Sequence, residues 1–131
     1  MKLIDMALPY KVTGASGLSA DQVITVNRDI TSALIQDAMN QMYPNGMTKK
    51  EARIFQGIMN QIASGDHVLS LDDKQIEALQ DIFLSDKAEK TLRCRPVAAG
   101  WILQWSEYLD KIRLGAQDDA DEPRRPASTQ P

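Results

Sequence analysis

The sequence contains a single cysteine, Cys94, and a single histidine, His67. One cysteine cannot form an internal disulfide, and so few Cys and His residues exclude metal centres built from several of these ligands. Nowhere do about 18 apolar residues follow one another, so the sequence predicts no transmembrane helix. The first residues, MKLIDM, place an acid where a secretion signal needs an apolar stretch. We therefore expect a cytoplasmic protein with a reduced thiol and no membrane association.

Signatures of enzymes are missing as well. The sequence has no glycine-rich phosphate loop, no Gly-x-Ser-x-Gly motif and no His-Glu-x-x-His motif. His67 is the only imidazole that could activate a nucleophile, and it lies between two predicted helices, where a solvated or backbone-bonded histidine is usual. Cys94 lies between Arg93 and Arg95, an arrangement that would favour a reactive thiol if all three were exposed together, but basic residues near a helix end are more often ordinary surface residues. The sequence predicts no enzyme, no cofactor and no metal site.

The overall composition is that of a globular domain. The 131 residues are 43% apolar and 25% charged, which excludes a fully disordered or fibrous chain. This length is enough for one hydrophobic core and short for two. The formal net charge of −3 argues against a surface built throughout for nucleic acid or anionic lipid.

Both ends of the chain differ in composition from its middle. Residues 1–18 hold Pro9, Gly14 and Gly17 and have a possible short strand at 10–13, so they are predicted to form an extended arm. Residues 115–131, GAQDDADEPRRPASTQP, contain three of the six prolines and no large apolar residue. Such a segment cannot bury enough apolar surface to offset its ordering entropy, so we predict a disordered tail. The remaining residues, 19–114, are predicted to form the folded helical domain.

Three capping boxes mark helix starts in this domain. In each one, a Ser, Thr or Asp is followed three residues later by Glu or Gln, so that the two side chains can accept each other's free backbone N–H groups. The pairs are Ser19 with Gln22, Thr48 with Glu51, and Asp72 with Gln75. With apolar residues recurring at helical intervals, they predict a helix over about 20–42, a second ending at Ser64-Gly65, and a third from Asp72. The β-branched residues at 23–26 leave a strand there as the alternative.

Two further helices complete the predicted domain. Ser85 or Asp86 can open a short helix to about Cys94, and Pro96 can open the last helix, which runs to about Leu114. One arc of the last helix holds both tryptophans and is the predicted core anchor. Its residues are Val97, Trp101, Trp105, Tyr108, Leu109 and Ile112. The predicted fold is all-α: a compact bundle of four or five helices with an extended N-terminal arm and a flexible C-terminal tail.

Charge is unevenly divided along the chain. Residues 47–64 and 86–95 each carry a net charge of +2, whereas residues 66–81 carry −4. Acids spaced four apart on the third helix are typical of a solvated face, and no calcium-loop pattern occurs. Gly57 shares the polar arc of the second helix with Lys49 and Arg53. Because a mid-helix glycine costs roughly 1 kcal/mol relative to alanine, a close approach by another backbone would explain it. The candidate partner-binding residues are Lys49, Lys50, Arg53, Gly57, Arg93 and Arg95.

These features favour a non-catalytic protein–protein interaction module: an adaptor, an assembly subunit or an inhibitor. We expect it to dock through its charged helix faces and its terminal appendages on a protein partner or on copies of itself. The alternative is a nucleic-acid-associated regulator that uses Lys49/Arg53 and Arg93/Arg95. Nucleic acid is disfavoured because the seven residues 65–71 are too many for a helix-turn-helix turn, and because the neighbouring acids repel phosphate.

Overall fold

All three predicted capping boxes form, and each starts a helix. In the first box, the Gln22 N–H donates to Ser19 Oγ at 3.2 Å and the Ser19 N–H donates to Gln22 Oε1 at 2.7 Å. The helices that follow the boxes are α1 (Ala20–Met42), α2 (Lys49–Ala63) and α3 (Asp73–Leu84). Helix α1 runs unbroken through residues 23–26, so the alternative strand there is wrong. Gly65 follows the end of α2 with φ +92°, the left-handed conformation that ends many helices.

The computed structural model describes residues 1–8 and 17–118, with side chains to Arg113. In these residues the chain is mostly α-helical, as predicted. The expected strand at 10–13 and the tail beyond residue 118 lie outside these residues. The remaining helices are α4 (Asp86–Thr91) and α5 (Ala99–Asp118), the latter preceded by a 3-10 turn at Pro96–Ala98. Within the described residues, no helix is both long enough and apolar enough to span a bilayer.

The end of α4 and the start of α5 differ from the prediction. Helix α4 ends at Thr91 and not near Cys94, because the backbone N–H of Arg93 donates to the side chain of Gln41 in α1 instead of continuing the helix. Val97 is 92% exposed and does not lie on the buried arc. It belongs to the 3-10 turn, where three residues per turn replace the 3.6 of an α-helix and shift its direction. Helix α5 extends four residues past the predicted end at Leu114.

A two-stranded antiparallel sheet was not predicted. Strand β1 (Lys2–Asp5) pairs with β2 (Val68–Leu71), with Leu3 opposite Ser70 and Ile4 opposite Leu69. Residues 65–71 were expected to be a loop, so that prediction is wrong for β2. The outer edge of β2 is covered by α2. Gln61 Nε2 donates to the Ser70 carbonyl oxygen, and the Ser70 N–H donates to Gln61 Oε1, both at 2.8 Å.

Helix α3 lies at the centre of the core, in contact with α1, α2, α4, α5 and β2. The predicted anchor on α5 is confirmed for both tryptophans and for Leu109, which are buried. Trp105 meets Phe83 of α3 edge-on, with ring centroids 6.1 Å apart. Truncation of a buried tryptophan of this kind costs about 3–5 kcal/mol.

The first residues of the chain are extended, as predicted, and are part of this core. Ile4 and Met6 are fully buried. Helix α1 holds the segment after β1, because Thr31 Oγ1 donates to the Met6 carbonyl at 2.9 Å and Asn27 Nδ2 donates to the Ala7 carbonyl at 2.8 Å. Trp101 Nε1 of α5 donates to the same Thr31 oxygen at 3.2 Å. Residues 2–7 therefore stabilise the helical body and do not stand away from it.

Candidate docking surface

Three parts of the chain meet at the carboxyl end of α1. The Gln41 side chain binds the backbone of Arg93 through two hydrogen bonds of 2.7 Å. Lys87 of α4 donates to the Met42 carbonyl at 3.4 Å, and the Tyr43 ring lies 5.7 Å from Phe55 of α2. The start of α2, helix α4 and the loop after α4 are thereby gathered at one end of the molecule. We call residues 41–53 and 86–95 together the basic end.

The basic end concentrates positive charge. It holds seven Lys and Arg residues: Lys49, Lys50, Arg53, Lys87, Lys90, Arg93 and Arg95. Three acids accompany them: Glu51, Asp86 and Glu89. The five cationic residues predicted as partner-binding are all exposed, and none of them forms an ion pair within the part of the chain that the structure describes. In the sequence these residues form two separate basic segments, and the fold places both segments at the carboxyl end of α1.

Gly57, the remaining predicted residue, has a role inside the fold. A Cβ atom placed there would lie 2.2 Å from Nε2 of Gln75. The Gln75 side chain is held in that position because its Oε1 accepts the Asp72 N–H at 3.0 Å in the capping box of α3. The close approach that the sequence suggested is therefore made by a side chain of the same molecule. It accounts for a mid-helix glycine without an external partner.

Two apolar grooves lie beside the Arg93 loop. The first, about 190 Å³, runs between α1 and residues 92–95, with Leu34 and Ala38 in its floor. Arg93, Arg95 and Asp37 also line it. The second groove, about 250 Å³, shares Leu92 and Ile102 with the first and is lined further by Leu103, which is 69% exposed. Both grooves arise from tertiary packing, the first where the loop meets α1 and α5 and the second where it meets α3, α4 and α5, so no local sequence pattern predicted them.

A third groove, about 220 Å³, lies at the far end of α5, between α3, α5 and β1. It is lined by Ile76 and Ile112, and the carboxylates of Asp73, Glu77 and Asp81 follow its α3 side. Burial raises the pKa of the Asp81 carboxyl above its ordinary value, and the neighbouring Glu77 raises it further, while Arg113 acts in the opposite direction. No cluster of metal-ligating side chains is present among the described residues.

The two residues considered for nucleophilic chemistry lie far apart. His67 Nδ1 is 3.6 Å from an Asp5 carboxylate oxygen, next to the Asp66 carbonyl that accepts a hydrogen bond from Arg28 of α1. Cys94 is exposed and follows Arg93, which is bound to Gln41 near the other end of α1. At 1.5 Å per residue, Arg28 and Gln41 are separated by about 20 Å along the helix. The geometry does not pair the imidazole with the thiol.

Comparison with known proteins finds no match: no family model fits the chain, and neither a curated protein nor a solved structure is significantly similar to it. The candidate interaction features of the molecule are the basic end with its two apolar grooves and the acidic groove at the far end of α5.

Proposed function

We propose that the protein is a non-catalytic protein–protein interaction module that docks through its basic end. One observation carries the proposal: two basic segments about 40 residues apart in sequence converge at the carboxyl end of α1, exposed and without ion pairs in the described residues, beside two apolar grooves. Adaptors, assembly subunits and inhibitors all need such a surface, and the proposal covers these three roles.

The two kinds of surface at the basic end have different effects on binding. Apolar grooves provide the larger share of binding free energy, because apolar area removed from water contributes about 25 cal/mol per Å². Exposed charges contribute less to affinity, and they steer an acidic partner into place and speed its association. The loop that carries Arg93 and Arg95 is fixed by Gln41, so little conformational entropy is lost when a partner binds to it.

The same convergence of charge supports the alternative, a nucleic-acid-associated regulator that uses Lys49/Arg53 and Arg93/Arg95. Three acids lie among the seven cations, however, and they oppose phosphate binding. The connection between α2 and α3 contains strand β2, which does not match the short turn of a helix-turn-helix. We therefore favour a protein partner. The exposed thiol of Cys94 is compatible with the reducing cytoplasm that we propose as its location.

Affinity capture from an extract of the native host tests the proposal. The bait is the full chain, and the matched bait carries Arg93→Glu with Arg95→Glu. We expect defined proteins that are retained by the native bait, survive nuclease treatment and are lost from the variant. Loss of every specific partner on nuclease treatment, together with a steep salt dependence of binding to duplex DNA, would instead support the regulator.

A further inference from the structure

The turn that precedes α5 carries an exposed apolar side chain between fixed neighbours. Val97 is 92% exposed and follows Pro96, whose ring restricts the backbone at this point. Arg93 and Arg95 lie just before it, and the backbone of Arg93 is bound by Gln41. We call Pro96 and Val97, with the two arginines, the knob. It is a rigid apolar projection accompanied by two guanidinium groups.

The groove at the far end of α5 has the complementary properties. Ile76 is buried and Ile112 half-buried, so the groove offers apolar contacts. Carboxylates of α3 follow one side, where burial and then the neighbouring Glu77 raise the pKa of Asp81, and an approaching cation reduces the repulsion between these acids. Lys2 and Arg113 also line the groove, and Arg113 is close enough to Asp81 to oppose the rise in its pKa. Three acids of α3 outnumber these two cations, so the lining of the groove is net negative.

The size of the groove suits the knob. Its volume is about 220 Å³. A protein cavity of about 150 Å³ accommodates benzene, so the groove has room for the side chain of Val97 together with part of the Pro96 ring. The knob and the groove are therefore compatible in volume and opposite in charge.

One molecule cannot make this contact with itself. The knob precedes the first residue of α5, whereas the groove is lined by Ile112. Thirteen residues at 1.5 Å per residue separate Ala99 from Ile112 by about 20 Å along a continuous helix. The knob of one copy can therefore enter only the groove of another.

We propose that the partner of the basic end includes a second copy of this chain, whose α3–α5 groove receives the knob. The inference rests on the proposed function and deepens it by naming one partner. Because two different surfaces meet, the contact does not close into a two-fold dimer, and it repeats head to tail into rings or short filaments. One small apolar side chain and a few exposed ion pairs make a weak contact, with a Kd on the order of 0.1–1 mM.

Sedimentation equilibrium of the full chain at about 1 mM protein tests self-association at that affinity. At low salt, the weight-average mass should exceed the 14.6 kDa of the monomer, and it should fall as salt screens the ion pairs. Val97→Glu should return the mass to that of the monomer, because it puts a carboxylate where the groove already has acids. Ile24→Glu is the matched control, since Ile24 is an exposed apolar residue of α1 that belongs neither to the knob nor to any of the three grooves; it should associate like the native chain.

Mixing two variants tests the head-to-tail geometry. Val97→Glu removes the knob and keeps the groove, whereas Asp73→Lys with Glu77→Lys removes the charge of the groove and keeps the knob. Each variant should be monomeric alone, and an equimolar mixture should form dimers and nothing larger. A mixture that stays monomeric, or a Val97→Glu chain that associates like the native one, overturns the inference.

These experiments distinguish failure of self-association from failure of the proposed function. A native chain that is monomeric at about 1 mM and low salt removes the second copy as a partner and leaves the basic end to another protein. Capture of other proteins that depends on Arg93 and Arg95 would still support docking by the basic end in that case.

Discussion

The side chain of Gln41 pairs with the backbone of Arg93 much as one strand pairs with the next. Gln41 Nε2 donates to the Arg93 carbonyl oxygen at 2.7 Å, and the Arg93 N–H donates to Gln41 Oε1 at the same distance. These two bonds join α1 to a loop 52 residues further along the chain. They end α4 and hold two arginines of the candidate docking surface in place.

Replacing Gln41 should loosen this loop. Gln41→Ala removes both hydrogen bonds, and we expect it to lower the free energy of unfolding by about 1–2 kcal/mol and to speed hydrogen exchange at the Arg93 amide. Gln41→Glu keeps an acceptor for the Arg93 N–H but sets a carboxylate oxygen against the Arg93 carbonyl, so it should not restore the loop. Gln36→Ala, which affects a glutamine of α1 bonded to Ser32, is the control. Unchanged exchange at Arg93 in Gln41→Ala would contradict the assignment.

Gly57→Ala should have an effect that depends on Gln75. Alanine improves helix propensity by about 1 kcal/mol, but its Cβ displaces the Gln75 side chain that caps α3. We expect the two effects nearly to cancel in the native background. In a Gln75→Ala background the bond from the Asp72 N–H to the Gln75 side chain is already lost, and Gly57→Ala should stabilise by about 1 kcal/mol. A double-mutant cycle by urea unfolding measures the coupling. Equal stabilisation in both backgrounds would show that Gln75 does not constrain residue 57.

Asp81 should make stability depend on pH in acid solution. Its folded-state pKa is raised by burial and by Glu77, so the folded chain holds this proton more tightly than the unfolded chain. The contribution of Asp81 to stability is therefore fully present below its unfolded pKa and is lost as pH rises through its folded pKa. We expect Asp81→Asn to raise Tm at pH 7 and to change it little at pH 3. Asp37→Asn, at an exposed residue of α1, is the comparison; an equal gain in Tm from both substitutions would argue against the Asp81 assignment.

Tyr108→Phe should destabilise the attachment of β1. The Asp5 N–H donates to the Tyr108 hydroxyl oxygen at 2.8 Å, and loss of that oxygen leaves the N–H without its acceptor at the junction of β1 and α5. The expected cost is about 1–3 kcal/mol in urea unfolding. Tyr43→Phe also removes one hydroxyl, from a more accessible tyrosine beside Glu51, and should cost less. The reverse order of the two costs would mean that Tyr108 does not hold the strand.

The parts of the fold that depend on neighbouring residues were predictable from sequence. Capping boxes such as Thr48 with Glu51 span three residues, and their signal is complete within that window. The sheet was not predicted because it pairs Lys2 with Leu71, which are separated along the sequence by α1 and α2. Each strand is also only four residues long. The end of α4 was missed for the same reason, since the side chain that ends it belongs to residue 41.

The candidate docking surface also has some features that the sequence predicted and others that depend on tertiary packing. Exposed cations can be read from composition and helical spacing, so Lys49, Arg53, Arg93 and Arg95 were found. Their convergence depends on how α1, α2 and α4 pack, which no local pattern encodes. The grooves beside Arg93 and the exposure of Val97 likewise follow from tertiary packing and from the 3-10 turn.

Charge reversal at the basic end is the most direct test of docking through that surface. Binding of a partner captured with the native chain should be measured for Lys49→Glu with Arg53→Glu, for Arg93→Glu with Arg95→Glu, and for Lys111→Glu, an exposed cation of α5 outside the basic end. All variants should keep the native circular dichroism spectrum and nearly the native Tm, because the substituted side chains are exposed. We predict that both double variants lose binding at least tenfold and that Lys111→Glu binds like the native chain. Native affinity in both double variants would contradict docking through the basic end.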